Sequence, residues 1–294
     1  MPLVAIPELI NRARTSGYAI GYFESWSIDS LQGVIDAAEL SRSPVIIGFN
    51  GEFLSRPDRK ATEQLSLYGA LGRAAATSAS VPCGFIFNEC PDDSWVRQAV
   101  TAGFNLVMPV PADGEPELAY TERVSAITDY AHVRKVAVEA EIGKLPFGGD
   151  EQLGSEATDP QRAAAFVAAT NVDLLAVSVG NVHVLLHGRR SLDISRLRVL
   201  RDTVSTPFVL HGGTGIDEES LKDCIGLGVV KVNYGTVLKQ HYLEAVRRSF
   251  GSADPNPHHL LGYGGESDVM VAGRLAVRDS VLAKMEILGC VGRA

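Results

Sequence analysis

PFVLHGGTGIDEESLKDCIGLGVVKVNYGT, residues 207–236, holds one repeat of the fold. A short apolar run, Pro207–Gly212, gives way to a glycine-rich turn. An amphipathic stretch follows, with Asp217 ahead of Leu221 and Ile225, and then a second apolar run, Val229–Tyr234. Such runs suit strands covered on both faces, and the stretch between them can hold the crossover helix that joins parallel neighbours. Six more runs lie upstream, at intervals of roughly 25 to 45 residues. They are Ala19–Phe23, Pro44–Phe49, Cys83–Asn88, Leu106–Val110, Lys135–Gly143 and Leu174–Gly180. Helix starts are marked by Ser27 or Asp29 before Leu31, Val34, Ile35 and Ala38, and by Asp159-Pro160 before Ala164, Phe166 and Val167. Eight strand–helix repeats close naturally into an α/β fold of the (β/α)8 TIM-barrel type, with an open doubly wound sheet as the alternative. The pattern predicts a single domain over 1–294. Its C-terminal helical extension covers about 252–294, with Ser252–Gly265 as a loop and Leu275–Gly289 as a final helix.

Composition narrows the function classes. The 294 residues are 46% hydrophobic, enough for a substantial core. The formal net charge of −8 leaves no basic surface for a nucleic-acid backbone. No run of about 18 apolar residues appears, and Met1 to Arg14 carries Pro2, Glu8, Asn11 and Arg12, so neither a membrane span nor a leader is expected and the location reads as cytoplasmic. Cys83, Cys90, Cys224 and Cys290 lie far apart with no C-x-x-C pair, which fits reduced thiols.

In such barrels the chemistry is assembled from residues just past each strand. Those residues are Glu24, Asn50, Asn88, Glu89, Glu139, Glu141, Asn181, His183, His211, Asn233, Tyr234 and Thr236. A lone histidine near a strand end is more often a hydrogen-bonded structural group. Two of them beside inward carboxylates favour a divalent metal, with Glu89, His183 and His211 as the natural trio. His132, His187, His241, His258 and His259 lack that company. The turn His211-Gly212-Gly213-Thr214-Gly215 after strand seven, with Asn233-Tyr234-Gly235-Thr236 after strand eight, sits where these barrels bind phosphate. Lys231 lies inside the eighth strand, and the sequence leaves its direction open, into the barrel or outward.

Val138-Glu139-Ala140-Glu141-Ile142-Gly143, Gly180-Asn181-Val182-His183, His211-Gly212-Gly213-Thr214-Gly215 and Lys231-Val232-Asn233 follow the order seen in the class II (metal-dependent) fructose- and tagatose-bisphosphate aldolases. The chain resembles that family from Tyr18-Ala19-Ile20 to Lys284-Met285-Glu286-Ile287-Leu288-Gly289. The resemblance implies a Zn²⁺-dependent lyase acting on a phosphorylated ketose, as a homodimer or homotetramer. By the same resemblance His183 and His211 match the histidine ligands, Glu141 a carboxylate linked to metal movement, and Asn233 the residue that holds the enediolate. Gly180, Gly212, Gly213, Thr214, Asn233 and Thr236 match substrate and phosphate contacts.

The chain departs from the family at working positions. Asn88-Glu89 stands where the family has Asp-His, an acid/base and a zinc ligand. Glutamate can still ligate, and two histidines with one carboxylate suit Mn²⁺, Fe²⁺ or Co²⁺ as well as Zn²⁺. Asparagine cannot exchange a proton. The family's loop glutamate aligns with Gly149, beside Asp150 and Glu151, while Val184 and His187 replace a glycine and a lysine. The expected protein is a metal-dependent, aldolase-like carbon–carbon lyase for a sugar phosphate. Glu89, His183 and His211 hold the metal and Glu141 assists as a further ligand. Asn88, Asn233 and Glu24 orient the substrate, and Glu89, Glu141 or Asp150 replaces the lost acid/base. The alternatives are a metal-assisted sugar-phosphate isomerase or epimerase, and a catalytically silent aldolase-like subunit.

Overall fold

A computed structural model describes residues 3–143, 145, 156–183, 188–250 and 256–294. Eight strands, β1 (Ile20–Ser25), β2 (Val45–Asn50), β3 (Cys83–Cys90), β4 (Leu106–Pro109), β5 (Ala137–Ile142), β6 (Leu174–Val177), β7 (Phe208–Leu210) and β8 (Val229–Tyr234), pair in parallel and in chain order. β8 returns to β1 with Tyr22 opposite Asn233, which closes the barrel. Every described strand residue but Glu141 is buried, as both-face coverage requires. The eight apolar runs of the sequence are these eight strands, with boundaries shifted by a few residues.

The described helices are α1 (Ile6–Ser16), α2 (Ile28–Ser41), α3 (Gly51–Ser55), α4 (Leu65–Ser78), α5 (Asp93–Ala102), α6 (Glu117–His132), α7 (Pro160–Thr170), α8 (Ile194–Thr203), α9 (Glu218–Gly226), α10 (Thr236–Ser249), α11 (Pro257–Leu260) and α12 (Val269–Leu288), most of them in a ring outside the strands. Side chains satisfy the bare first-turn N–H groups at many of their starts. Ser27 caps α2, Asp159 caps α7 ahead of Pro160, and Asp217 caps α9, each contributing about 1 kcal/mol. α1 packs its Ile6 and Leu9 against Gly84 at the start of β3, under the N-terminal end of the barrel. The four cysteines are buried free thiols. Among the described residues no helix is long and apolar enough to cross a membrane.

The C-terminal segment differs from the sequence expectation. Its last helix begins at Val269, not Leu275, because the Asp268 carboxylate accepts from the N–H groups of Met270 and Val271. The expected loop Ser252–Gly265 contains α11 in its described part, 256–265. α12 is seated in the ring itself. Gly33 lets the Arg274 carbonyl come so close that a Cβ would stand 2.6 Å from it, and Gly273 gives the same room to the Tyr242 ring. Arg274 pairs with Asp36 at 2.6 Å across this contact, and the Leu288 carbonyl accepts from the N–H of Ala19 just before β1.

A side chain at Gly33 must therefore lift α12 from α2. Overpacking of this kind costs on the order of 1–3 kcal/mol. Gly33→Leu is expected to lower the thermal midpoint by a few degrees in a circular-dichroism melt. Leu40→Ala, on the exposed side of the same helix, should leave it unchanged.

Candidate metal centre

Three side chains from three strand ends converge at the C-terminal mouth. The Glu89 Oε1 atom lies 2.7 Å from His211 Nδ1 and 3.1 Å from His183 Nε2, and the two histidine nitrogens stand 3.4 Å apart. Among the described residues these are the group whose His and carboxylate atoms gather closely enough to hold one ion. The expected trio is thus brought together.

Each member is placed by a local device. Glu89 sits in a β-bulge, where the register of β3 against β4 shifts between Phe87 and Cys90 and its own φ is +55°. That left-handed backbone costs a non-glycine residue on the order of 1–3 kcal/mol, and bulges of this kind re-aim a side chain. Asn50 at the end of β2 fixes the second carboxylate oxygen, its Nδ2 donating to Oε2 at 2.8 Å. His183 and His211 lie on the loops after β6 and β7, which are tied together. The Asn181 amide donates to the His211 carbonyl at 3.1 Å while its Oδ1 accepts from the Val179 N–H at 2.9 Å. Gly212, at φ +69°, packs on the Val182 carbonyl so closely that no Cβ fits.

Behind the trio runs a buried chain of charge. His211 Nε2 is 3.0 Å from Glu139 Oε1, and Glu139 Oε2 is 2.8 Å from Lys231 Nζ. Lys231 in turn donates to Asn233 Oδ1 at 2.6 Å, and Asn233 Nδ2 lies 3.5 Å from Asn88 Oδ1. The sequence left Lys231 without a direction. It points into the barrel and is fully buried. Glu139 stood among the strand-end residues but was given no role. The signal was its spacing of two from Glu141, which puts both carboxylates on the inner face of β5.

Burial favours the neutral forms here, and the partners outweigh it at most positions. Burial raises the Glu89 carboxyl, but His183 and His211 hold it well below the usual range. Burial also opposes ionisation of Glu139, which Lys231 and His211 bring below its ordinary value. Burial disfavours an imidazolium at His211, yet hydrogen bonds to Glu139 and Glu89 push its pKa up to about 9. His183 is raised as well, burial being outweighed chiefly by Glu89. For Lys231 burial wins over Glu139 and lowers the pKa.

The donor set fits a divalent ion. Tetrahedral ligands about 2.1 Å from zinc stand about 3.4 Å from one another, close to the His183–His211 separation seen here. With Glu139 taking the N–H on Nε2, the lone pair of His211 faces Glu89 and His183, the carboxylate–histidine pairing that orients a metal ligand. When protonated, His211 places a hydrogen on that same Nδ1, so proton and metal compete for one position.

The other expected residues divide. Asn88, Asn233, Gly212, Thr214 and Thr236 line one cavity with Glu89 and His183. Tyr22, Glu24, Glu52 and Lys239 line it too; of these the sequence reading had singled out Glu24 alone. Lys239 follows Thr236 by three positions on α10, so one helical face carries both, and it pairs with Glu24. Glu141 is outside the close trio. It lines a neighbouring cavity with Glu89 and His183, and burial raises its carboxyl despite His211 and His183. Gly213 packs beneath the turn against Tyr234 and Val232. Gly180 is not brought to the cavity; it is exposed, at φ +101°, beside the backbone of Ser191–Asp193. Gly149, Asp150, Glu151, Val184 and His187 lie outside the described residues.

The pH dependence of the metal-free protein follows from His211. Its folded pKa of about 9 exceeds the unfolded value, so its contribution is complete below about pH 6.5 and is lost as pH rises through 9. His211 alone contributes a loss on the order of 3 kcal/mol across that window in chelator-treated protein; the raised His183 adds to it and the lowered Lys231 opposes it. A urea midpoint that falls between pH 6.5 and 9.5 is the expected result, and a flat one would mean a neutral His211.

Comparison with known proteins agrees with this architecture. The profile described as fructose-bisphosphate aldolase class-II matches residues 4–293. A fructose-bisphosphate aldolase of Geobacillus stearothermophilus is 30% identical over 302 residues, covering 100% of this chain and 99% of that protein. The uncharacterised protein YdjI of Escherichia coli K12 is 33% identical over 292 residues, covering 97% of this chain and 96% of that one. The crystal structure of the YdjI aldolase superposes with a TM-score of 0.80 at 30% identity, covering 99% of both chains. A closed eight-stranded barrel, the trio at its mouth and a family match over nearly the whole length lead to one conclusion: the chain belongs to the class II fructose-bisphosphate aldolase family.

Proposed function

We propose that the protein is a divalent-metal-dependent aldehyde-lyase that cleaves a ketose phosphate through an enediolate. The observation carrying this reading is the convergence of Glu89, His183 and His211 with Glu139 fixed behind them. When bound there, a divalent ion supplies Lewis-acid polarisation of the ketose carbonyl and its neighbouring hydroxyl. Zn²⁺ suits two imidazoles and a carboxylate, as do Mn²⁺, Fe²⁺ and Co²⁺.

The protein's own groups bind and orient the substrate, and Glu141 or Glu89, which line one cavity with His183, takes the hydroxyl proton and returns one to the enediolate carbon. Asn233 is held by Lys231 at its Oδ1, which leaves its N–H2 group to donate toward Asn88 and the cavity. A phosphate is held by the backbone of the Gly212–Thr214 turn and by Thr236 at the N-terminus of α10, with Lys239 one turn along the same helix. Asn88 orients a hydroxyl without taking its proton. That substitution favours a second reading, a metal-assisted isomerase or epimerase, in which the carbon chain stays intact.

The test is NMR of dihydroxyacetone phosphate in D₂O with zinc-loaded protein. Loss of the proton on the hydroxymethyl carbon is expected, abolished by chelator and by His211→Ala. Absence of exchange in the loaded wild type would overturn the lyase reading. Product carbon skeletons from ketose phosphates then separate cleavage from isomerisation. Glu139→Gln, which removes the charge that orients His211, should weaken zinc binding by about 10–100-fold in a competitive-chelator titration.

A further inference from the structure

Tyr22 lies on β1 directly opposite Asn233 of β8, and its side chain lines the cavity shared by Asn88, Glu89, His183 and Asn233. It is 2% exposed, and among the described residues its hydroxyl has no hydrogen-bond partner. Buried polar groups are normally paired, and phenylalanine would fill the same space without leaving a hydroxyl unsatisfied. The ring is held in place from below by Lys231, whose Nζ stands 5.2 Å from the ring centroid. Burial, with Glu24, Glu89 and Glu139 nearby, keeps the phenol protonated, so the group is a donor throughout the working pH range. Donors aimed at the place where charge develops are what this chemistry requires.

We propose that Tyr22 contacts the substrate directly, its phenol O–H donating a hydrogen bond to the oxygen that becomes negative when the carbon–carbon bond of the ketose phosphate breaks. No proton leaves Tyr22; the hydrogen bond strengthens as the enediolate forms. The inference rests on the lyase reading above and adds to it a donor from β1. Tyr22 sits within an apolar run and so is not conspicuous among the strand-end residues. Its spacing of two from Glu24 places both on the inner face of the strand.

The test compares Tyr22→Phe with wild type in three measurements: zinc content, the thermal midpoint of the metal-free protein, and deuterium exchange into dihydroxyacetone phosphate after zinc loading. Equal zinc content, a midpoint at or above that of wild type and exchange slowed about a hundredfold are expected. Exchange at the wild-type rate overturns the role of Tyr22 and leaves the lyase reading standing. A midpoint several degrees lower, or slow exchange with reduced zinc content, also overturns it, since the hydroxyl would then be serving the fold or the metal. No exchange in wild type overturns the lyase reading and this inference together.

Discussion

The contact on which the mouth of the barrel depends is the pair of buried links from Glu139 to His211 and to Lys231. A carboxylate in that interior cannot stay ionised alone, and neither can an ammonium. Held between an imidazole and a lysine, Glu139 satisfies both neighbours and fixes the tautomer of one of them. Removing it would strand Lys231 as an uncompensated charge, and would release His211 and Asn233 from their orientations. The chemistry of the site therefore begins below the residues that face the cavity.

Around this chain the backbone is drawn tight. The loops after β6 and β7 share a contact at Gly212 and Val182 that admits no side chain, and Asn181 ties them again through the His211 carbonyl. Across the mouth, Glu89 accepts an unfavourable backbone conformation in a bulge, which Asn50 steadies by a hydrogen bond. Such strain persists only where surrounding packing over-determines it. Here the fixed histidine loops supply one side of that constraint and the paired strands β2 and β3 the other.

Much of this was legible in the sequence, and the parts that were not have physical reasons. The eight strands announced themselves because both-face burial makes most of their residues apolar. The convergence of Glu89, His183 and His211 was readable because strand ends in a parallel barrel share one mouth. Lys231 was not, since a charged residue within an apolar strand is compatible with either face until its partner is known. Tyr22 was hidden because it lies inside an apolar run, below the strand end, and Lys239 because it reaches the cavity from a helix, one turn beyond the strand end. The start of α12 was missed because Asp268, its cap, follows a glycine-rich stretch that reads as loop. Gly180 was expected among the substrate and phosphate contacts from the family resemblance, whereas its left-handed turn lies at the surface beside Ser191–Asp193.

α12 bears on how the chain is made. Its seat is built from α2 and α10, and its last carbonyl meets Ala19, so these contacts join the first strand–helix unit to residues more than two hundred positions later. During synthesis the first repeats emerge long before that helix does, and the surface around Gly33 stays uncovered until residues 269–288 have been made. Contacts so distant along the chain form late and carry a large loop-closure cost. The order of translation thus holds back the closing of the ring until α12 has been made, and a nascent chain stalled before residue 269 would expose to chaperones the surface that α12 covers.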